Sequence, residues 1–443
     1  MPTLRICRQQ RHKPAVAMTV FNSARRDARV LKEAASLQSA GYDVRILGLA
    51  DDPADDGVEM TLPTGVRLLR FHPHQGGWGR SEAQPPDAAN AGGPLRSTPA
   101  TLLRRGFGRL LQWPLERLRV HAQMHAWNTR VLRQLAADSP DVVHCHDLTT
   151  IKVGAVHRRR SPDCRFVYDS HELTEHQEPF SWWHRRHLLG RQRRSGKWVD
   201  AYITVNDSLA AYSRKYHPYF PPAVVVKNAT HPPVARVEND GRLHRAVGLS
   251  PEKKVLLFQG GFVPGRGLPT LLQAATLLPD DWRLVLMGWG PLETELHELR
   301  DALPNGREMV RFIPAASQEE LPFWTAGATV GTILYENTCL NHWFCSPNKL
   351  WEYANAGVPI LASRFPEMES TIARNGTGWL LQMPATARQI AERVRSISAD
   401  DVAAKKRRCA EFVRRDNWSV YESRLLEMYG TLFGGRAAKP RAA

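Results

Sequence analysis

The chain has 443 residues, of which 42% are hydrophobic and 23% charged, with a formal net charge of +16. That length exceeds what a single hydrophobic core usually serves, and the composition does not make disorder the default, so two folded domains are expected. The charge points to an anionic partner: nucleic acid, anionic lipid or a phosphate-bearing small molecule.

Six cysteines, Cys7, Cys145, Cys164, Cys339, Cys345 and Cys409, are scattered without paired short spacings, which suits a reducing compartment. Cys339 and Cys345 are close, but no second Cys/His pair completes a zinc set, and no metal is expected. Residues 1 to 20 carry no apolar run of signal-peptide length, and no stretch of about 18 uncharged apolar residues occurs. The expectation is a cytoplasmic protein, with a peripheral place on the inner face of the membrane left open.

In chain order, short β-rich apolar runs alternate with helix-length amphipathic segments. Strands are predicted near Ala15 to Phe21, Asp43 to Leu49, Val66 to Phe71, Asp141 to Cys145, Arg165 to Tyr168 and Ala201 to Val205. Between the first two, Asp27 to Ala40 has helical apolar spacing and stops at Gly41, giving a βαβ opening. The segment Gln75 to Pro99 is rich in Gly, Pro, Ala and Ser and is expected to be a mobile loop. After it, Leu102 to Leu135 carries seven arginines beside many apolar residues and is predicted as two helices divided at Pro114. Residues 181 to 199 hold six Arg/Lys and no acid, interleaved with Trp182, Trp183 and Trp198, a composition that suits an anionic membrane surface.

After Val224 to Val226 a second strand series is predicted: Lys254 to Gln259, Trp282 to Met287, Val310 to Ile313, Thr329 to Leu334, Pro359 to Ala362 and Trp379 to Leu381. Two such series mean two doubly wound α/β domains. The expected division is 1–227, a linker at 228–242, a second domain at 243–415, and a C-terminal helix at 416–443 with a loose tail, for which a return to the first domain is left open.

The strongest local signal is Ser346-Pro347-Asn348-Lys349-Leu350-Trp351-Glu352-Tyr353, a loop entering a helix. Backbone N–H groups near Pro347 and Asn348, with the Lys349 charge, can meet a diphosphate. Glu352, in the first helical turn, can accept both hydroxyl protons of a ribose. The competing reading is an ordinary carboxylate favoured by a helix N-terminus. A second signal, Gln259-Gly260-Gly261-Phe262-Val263-Pro264-Gly265-Arg266-Gly267, is a strand running into glycines and an arginine, where backbone and guanidinium can approach phosphate oxygens. Turn chemistry alone also explains such glycines.

Together these two segments resemble the C-terminal domain of family 4 retaining glycosyltransferases of the GT-B fold. The first half agrees: Asp27 to Ala34, Gly41 to Val44, Asp141 to Leu148, Tyr168 to Leu173 and Val205 to Leu209 all resemble segments of that family. The resemblance implies two Rossmann-like domains facing across a cleft. It makes Glu352 the ribose ligand and Arg266 the neutraliser of the donor diphosphate. Gly260 and Gly261 give the sugar phosphate room, with Asn348 and Lys349 as further donor contacts. It also places His146 beside the transferred sugar, with Asp147, His171 and Glu172 lining the same cleft. Two departures stand out: Gly260-Gly261 replaces the usual Gly-Arg pair, and Phe344 occupies the position of an acid eight residues before the ribose glutamate.

The implied activity is retaining transfer of a sugar from a UDP- or GDP-linked donor to a glycan or lipid-linked acceptor, in cell-surface polysaccharide assembly. No cofactor beyond the nucleotide sugar is expected. A GT-B nucleotide-sugar epimerase is an alternative that needs no separate acceptor. A basic nucleic-acid-binding protein is a third reading, against which stands the lack of a helix-turn-helix, zinc-ligand or RNA-recognition signature.

Overall fold

The computed structural model describes residues 13–25, 27–73, 120, 122–177, 181–231 and 237–434. The predicted loop at 75–99, the break at Pro114 and the C-terminal tail lie outside them. The chain divides into two compact units, one ending at Phe166 and one beginning at Val167.

In the first unit, strands β1 (Ala15–Thr19), β2 (Asp43–Leu49), β3 (Glu59–Thr61), β4 (Arg67–Phe71) and β5 (Val142–His146) run in the order β3-β4-β2-β1-β5. All pairings are parallel except β3 with β4. The strands β1 and β5 are buried almost throughout, as expected of a parallel sheet covered on both faces. Helix α1 (Ala28–Ser39) begins where the Asp27 side chain accepts from the Val30 backbone N–H. Helix α2 (122–138) covers the sheet with Trp127, Val131 and Leu135, all fully buried. Helix α3 (Asp147–Arg160) follows β5 directly. Strand β3 escapes sequence analysis because Glu59, Met60 and Thr61 are all exposed; the Glu59 carboxylate pairs with Arg45 at 2.7 Å.

Strand β6 (Arg165–Ser170) carries the chain into the second unit, where it runs parallel to β7 (Ala201–Thr204), and β7 to β8 (Ala223–Val225). Helices α4 (Trp182–Gly196) and α5 (Asp207–Tyr216) connect them. After helix α6 (Arg242–Ala246), a six-stranded parallel sheet is formed by β9 (Lys254–Gln259), β10 (Trp282–Met287), β11 (Val310–Ile313), β12 (Val330–Ile333), β13 (Ile360–Ser363) and β14 (Gly378–Leu381). Its order is β11-β10-β9-β12-β13-β14. The predicted bounds of β9, β10 and β11 are reproduced to the residue. Helices α7 (Leu268–Ala275), α8 (Glu293–Ala302), α9 (Gly306–Met309), α10 (Leu321–Thr325), α11 (Leu340–Trp343) and α12 (Lys349–Asn355) cross between strands. They are followed by α13 (Pro366–Asn375), α14 (Ala387–Arg395), α15 (Ala399–Arg415) and α16 (Trp418–Leu432). Helix α16 lies against β8: the Trp418 backbone N–H donates to the Thr230 carbonyl at 2.8 Å, and Arg424 Nη1 donates to the Val225 carbonyl at 3.2 Å.

No helix among the described residues is long and apolar enough to cross a membrane.

Candidate active site

Strand order in the six-stranded sheet reverses at β9: the chain next builds β10 and β11 on one side, then β12 to β14 on the other. Ligands of doubly wound sheets bind outside the carboxyl ends of the strands at this switch. Both sequence signals fall there, one on the loop leaving β9 and one on α12.

Helix α12 is held from behind. Leu350, Trp351 and Tyr353 are fully buried, and Trp351 Nε1 donates to Asp416 Oδ1 at 2.9 Å, an oxygen that also accepts from the Tyr421 hydroxyl. The Tyr353 hydroxyl donates to the Leu257 carbonyl at 2.9 Å and accepts from the Gln259 backbone N–H at 3.2 Å, tying the helix to β9. A Cβ on Gly331 would lie 2.4 Å from the Tyr353 ring, so β12 needs glycine there. Burial keeps the Tyr353 pKa well above its usual value, so its hydroxyl stays a donor. The helix is thereby fixed with Lys349 and Glu352, three positions apart, on its half-buried face.

Glu352 Oε2 accepts from Gln259 Nε2 at 2.8 Å, and Gln259 Oε1 accepts from the Thr325 hydroxyl at 2.8 Å. Among the described residues the other Glu352 oxygen makes no hydrogen bond, leaving it available to a hydroxyl donor. Gln259 and Thr325 were not singled out in the sequence. The signal for Gln259 was present, as an amide closing the apolar run Val255-Leu256-Leu257-Phe258 of β9.

Lys349 reaches across to the glycine loop. A Cβ on Gly260, whose φ is +119°, would sit 2.8 Å from Lys349 Nζ, so the missing side chain is what admits the ammonium. Lys349 Nζ donates to the Tyr335 hydroxyl at 3.3 Å, and the Arg266 guanidinium lies over the same tyrosine ring, 3.9 Å from its centroid. Both cations are half-buried, and neither forms an ion pair with a carboxylate among the described residues. Gly261 and Asn348 are exposed, and the Asn348 side chain does not cap the helix.

The segment after β6 belongs to the same unit. His171 Nε2 bonds Asp169 Oδ2 at 3.0 Å. Asn341 on α11 accepts from the Leu173 backbone N–H at 2.9 Å and donates to Glu172 Oε2 at 3.4 Å; Gln177 donates to the same oxygen. Burial of its sulfur pushes the Cys345 thiol up to about 12, against the opposing charges of Arg266 and Lys349 and with the help of Glu172. Cys345 thus feels both cations and the Glu172 carboxylate at once. Phe344, where the family resemblance led us to expect an acid, packs against the cluster of Leu173, Val205 and Leu209 and against the Tyr212 ring, and its carbonyl accepts from Asn206 Nδ2 at 2.8 Å.

In the first unit, His146 ends β5 fully enclosed, its ring stacked on that of His144 with centroids 4.4 Å apart. His144 Nε2 lies 3.7 Å from Glu33 Oε2, and Arg29 pairs with the other Glu33 oxygen at 3.0 Å. Asp147 is partly exposed and adopts φ +61°, a left-handed conformation unusual outside glycine at the start of a helix. Glu33 was not singled out either. It falls within the buried stripe Val30, Ala34 and Leu37 of α1, and a carboxylate on that stripe is the signal of a buried charge.

The switch point of this doubly wound sheet thus carries Glu352 together with Lys349 and Arg266, two cations with no carboxylate partner among the described residues. Two family models match the sequence: "Glycosyl transferase 4-like domain" over residues 27–229 and "Glycosyl transferases group 1" over residues 240–416. The chain is a glycosyltransferase of the GT-B fold, family 4-like. Among solved structures it is similar to sucrose-phosphate synthase from Thermosynechococcus elongatus, with a TM-score of 0.72 and 17% identity over 95% of this chain and 99% of that one. It is similar too to Anabaena HepE in complex with UDP-glucose, with a TM-score of 0.67 and 14% identity over 94% and 100% of the two chains. A third is WaaG, a glycosyltransferase involved in lipopolysaccharide biosynthesis, with a TM-score of 0.61 and 15% identity over 95% and 100%. No curated protein matches the sequence.

Proposed function

We propose that the chain moves a sugar, with retention of anomeric configuration, from a nucleoside diphosphate donor to a glycan or lipid-linked acceptor in cell-surface polysaccharide assembly. The observation that carries this reading is the pairing of Arg266 and Lys349 on one tyrosine. Two like charges within about 10 Å of each other, half-buried and without a carboxylate, repel one another unless an anion joins them. A diphosphate is such an anion, and Glu352 beside it can take the ribose hydroxyls.

Charge then grows on the diphosphate as the bond from the anomeric carbon to its oxygen breaks. Arg266 and Lys349 meet that charge where it develops, without reorganising water. The acceptor hydroxyl forms its new bond on the face from which the diphosphate departs, and its proton passes to the leaving oxygen. The family resemblance implies this retaining course. His171 and Glu172 are proposed for the sugar side of this pocket, while the parts of His146 and Asp147 in the first unit rest on the family resemblance.

The acceptor class rests on α4. Trp182 and Trp183 are 60% and 74% exposed on a helix that carries Arg185, Arg186, Arg193 and Arg194, and Arg186 sits 5.5 Å from the Trp182 ring centroid. Exposed indoles beside guanidinium groups suit the headgroup layer of an anionic bilayer. That surface would bring a lipid-borne acceptor within reach. WaaG, a glycosyltransferase involved in lipopolysaccharide biosynthesis, agrees in kind.

The test is product analysis with UDP- and GDP-linked hexoses, with and without extracted membrane lipids. Release of nucleoside diphosphate that depends on added lipid or glycan, with a sugar-bearing product, supports transfer. An isomerised nucleotide sugar formed from donor alone would replace transfer with epimerisation, and nucleic-acid retention without any sugar chemistry would sink both.

A further inference from the structure

The loop leaving β10 reads Gly288-Trp289-Gly290, and its backbone is pressed against the glycine loop that leaves β9. A Cβ on Gly288 would stand 2.0 Å from the Gly260 carbonyl oxygen, and one on Gly290 2.5 Å from the Phe262 carbonyl oxygen. Neither flank can carry a side chain without moving backbone, so both must be glycine. The Phe262 N–H donates to the Trp289 carbonyl at 2.8 Å, the Gly260 N–H to Met287 at 2.9 Å, and the Gly288 N–H to Ile313 at 3.0 Å. The tripeptide is therefore held between the ends of β9 and β11 and carries one side chain. That side chain is a large flat indole, 61% exposed.

Its location relative to the proposed nucleotide pocket follows from the chain. Gln259 bonds Glu352, Gly260 abuts Lys349, and Phe262 bonds the Trp289 backbone. Those three contacts come from four consecutive residues, a span of at most about 11 Å. A nucleoside whose ribose sits on Glu352 has a base of the right reach to arrive at a residue on that scale.

We propose that Trp289 is the stacking platform for the nucleobase of the donor. This rests on the reading of the Glu352 pocket as a nucleoside diphosphate site. A single exposed apolar residue on a surface is ordinary. A tryptophan projected from a backbone that two close glycine approaches and three hydrogen bonds fix in place is a built feature, and its π-face accepts any flat base. Stacking of this kind tolerates both purine and pyrimidine, so Trp289 sets affinity for a base while other groups choose which one.

The experiment is calorimetric titration of wild type, Trp289→Ala and Trp289→Phe with UDP, GDP and inorganic pyrophosphate. The expected result is a loss of roughly tenfold or more in nucleoside diphosphate affinity for Trp289→Ala, near recovery for Trp289→Phe, and unchanged pyrophosphate binding in all three. Equal nucleoside diphosphate affinity in wild type and Trp289→Ala overturns the stacking role while leaving the pocket intact. Equal losses for pyrophosphate and nucleotides would show that Trp289 only props the loop, which also overturns it. A wild type that binds pyrophosphate but neither nucleotide removes the nucleotide reading and this inference with it.

Discussion

Gln259 Nε2 donates to Glu352 Oε2 at 2.8 Å, so the carboxylate proposed to hold the ribose is itself held by the last residue of β9. Thr325 orients that amide by donating to its oxygen. A carboxylate with one oxygen fixed and the other unengaged is pre-aimed, and its ligand need not order it on binding.

Removing either part should be visible in donor binding. Glu352→Gln keeps the shape but loses a charged acceptor, and should weaken nucleoside diphosphate binding by about tenfold or more. Gln259→Leu should cost less, because it frees the carboxylate rather than deleting it. Calorimetric dissociation constants check the order; a larger loss in Gln259→Leu would show that the amide, not the acid, meets the ligand.

Lys349→Ala and Arg266→Ala should each reduce donor affinity by roughly tenfold, and the wild-type affinity should fall more steeply with added salt than that of either variant. Donor KM at 50 and 300 mM salt is the readout. Unchanged KM in Lys349→Ala would contradict the anion site.

Phe344 packs on an apolar cluster of Leu173, Val205 and Leu209. Phe344→Ala should therefore lower stability by about 1–3 kcal/mol, less than a fully buried phenylalanine would, since Phe344 is only partly covered. Urea denaturation measures it, and a Phe344→Asp variant that gains stability would show the packing to be incidental.

With a folded pKa raised from 9.0 to about 12, Cys345 stays a neutral thiol at pH 8. The neutral form is the one the fold favours. Its stabilising contribution is complete below about pH 9 and is lost as pH rises toward 12. Iodoacetamide at pH 8 should leave the Cys345 peptide unlabelled in the native protein and label it in urea, as read by mass spectrometry. Rapid native labelling would refute a protonated, covered sulfur.

Trp182→Ala/Trp183→Ala should release the protein from vesicles containing anionic lipid at physiological salt, while leaving nucleotide binding unchanged. Co-sedimentation is the assay. Equal binding by the double variant would leave α4 an ordinary solvated helix.

Most of the sheet was legible because parallel strands buried on both faces are written as short uninterrupted apolar runs, as in Val255 to Phe258 and Leu284 to Met287. Strand β3 was not, since an exposed antiparallel edge of three residues leaves no apolar trace. Glu352, Lys349 and Arg266 could be picked out because charged residues stand beside glycines or a helix start. Of the residues around them, Gln259 leaves a trace as the amide that closes β9, but Thr325, Tyr335 and Trp289 leave none, because they come from different elements that only the folded sheet brings together. The enclosure of His146 was equally hidden, because it depends on packing that no strand pattern encodes: its ring stacks on His144, which in turn lies beside Glu33 of α1.

The central claim is that Arg266, Lys349 and Glu352 form one nucleoside diphosphate pocket, and a crystal structure with UDP or GDP bound tests it directly. The account predicts phosphate oxygens between the Arg266 guanidinium and Lys349 Nζ, with ribose hydroxyls on Glu352. A nucleotide bound with its phosphates away from both cations, or with its ribose remote from Glu352, would contradict it.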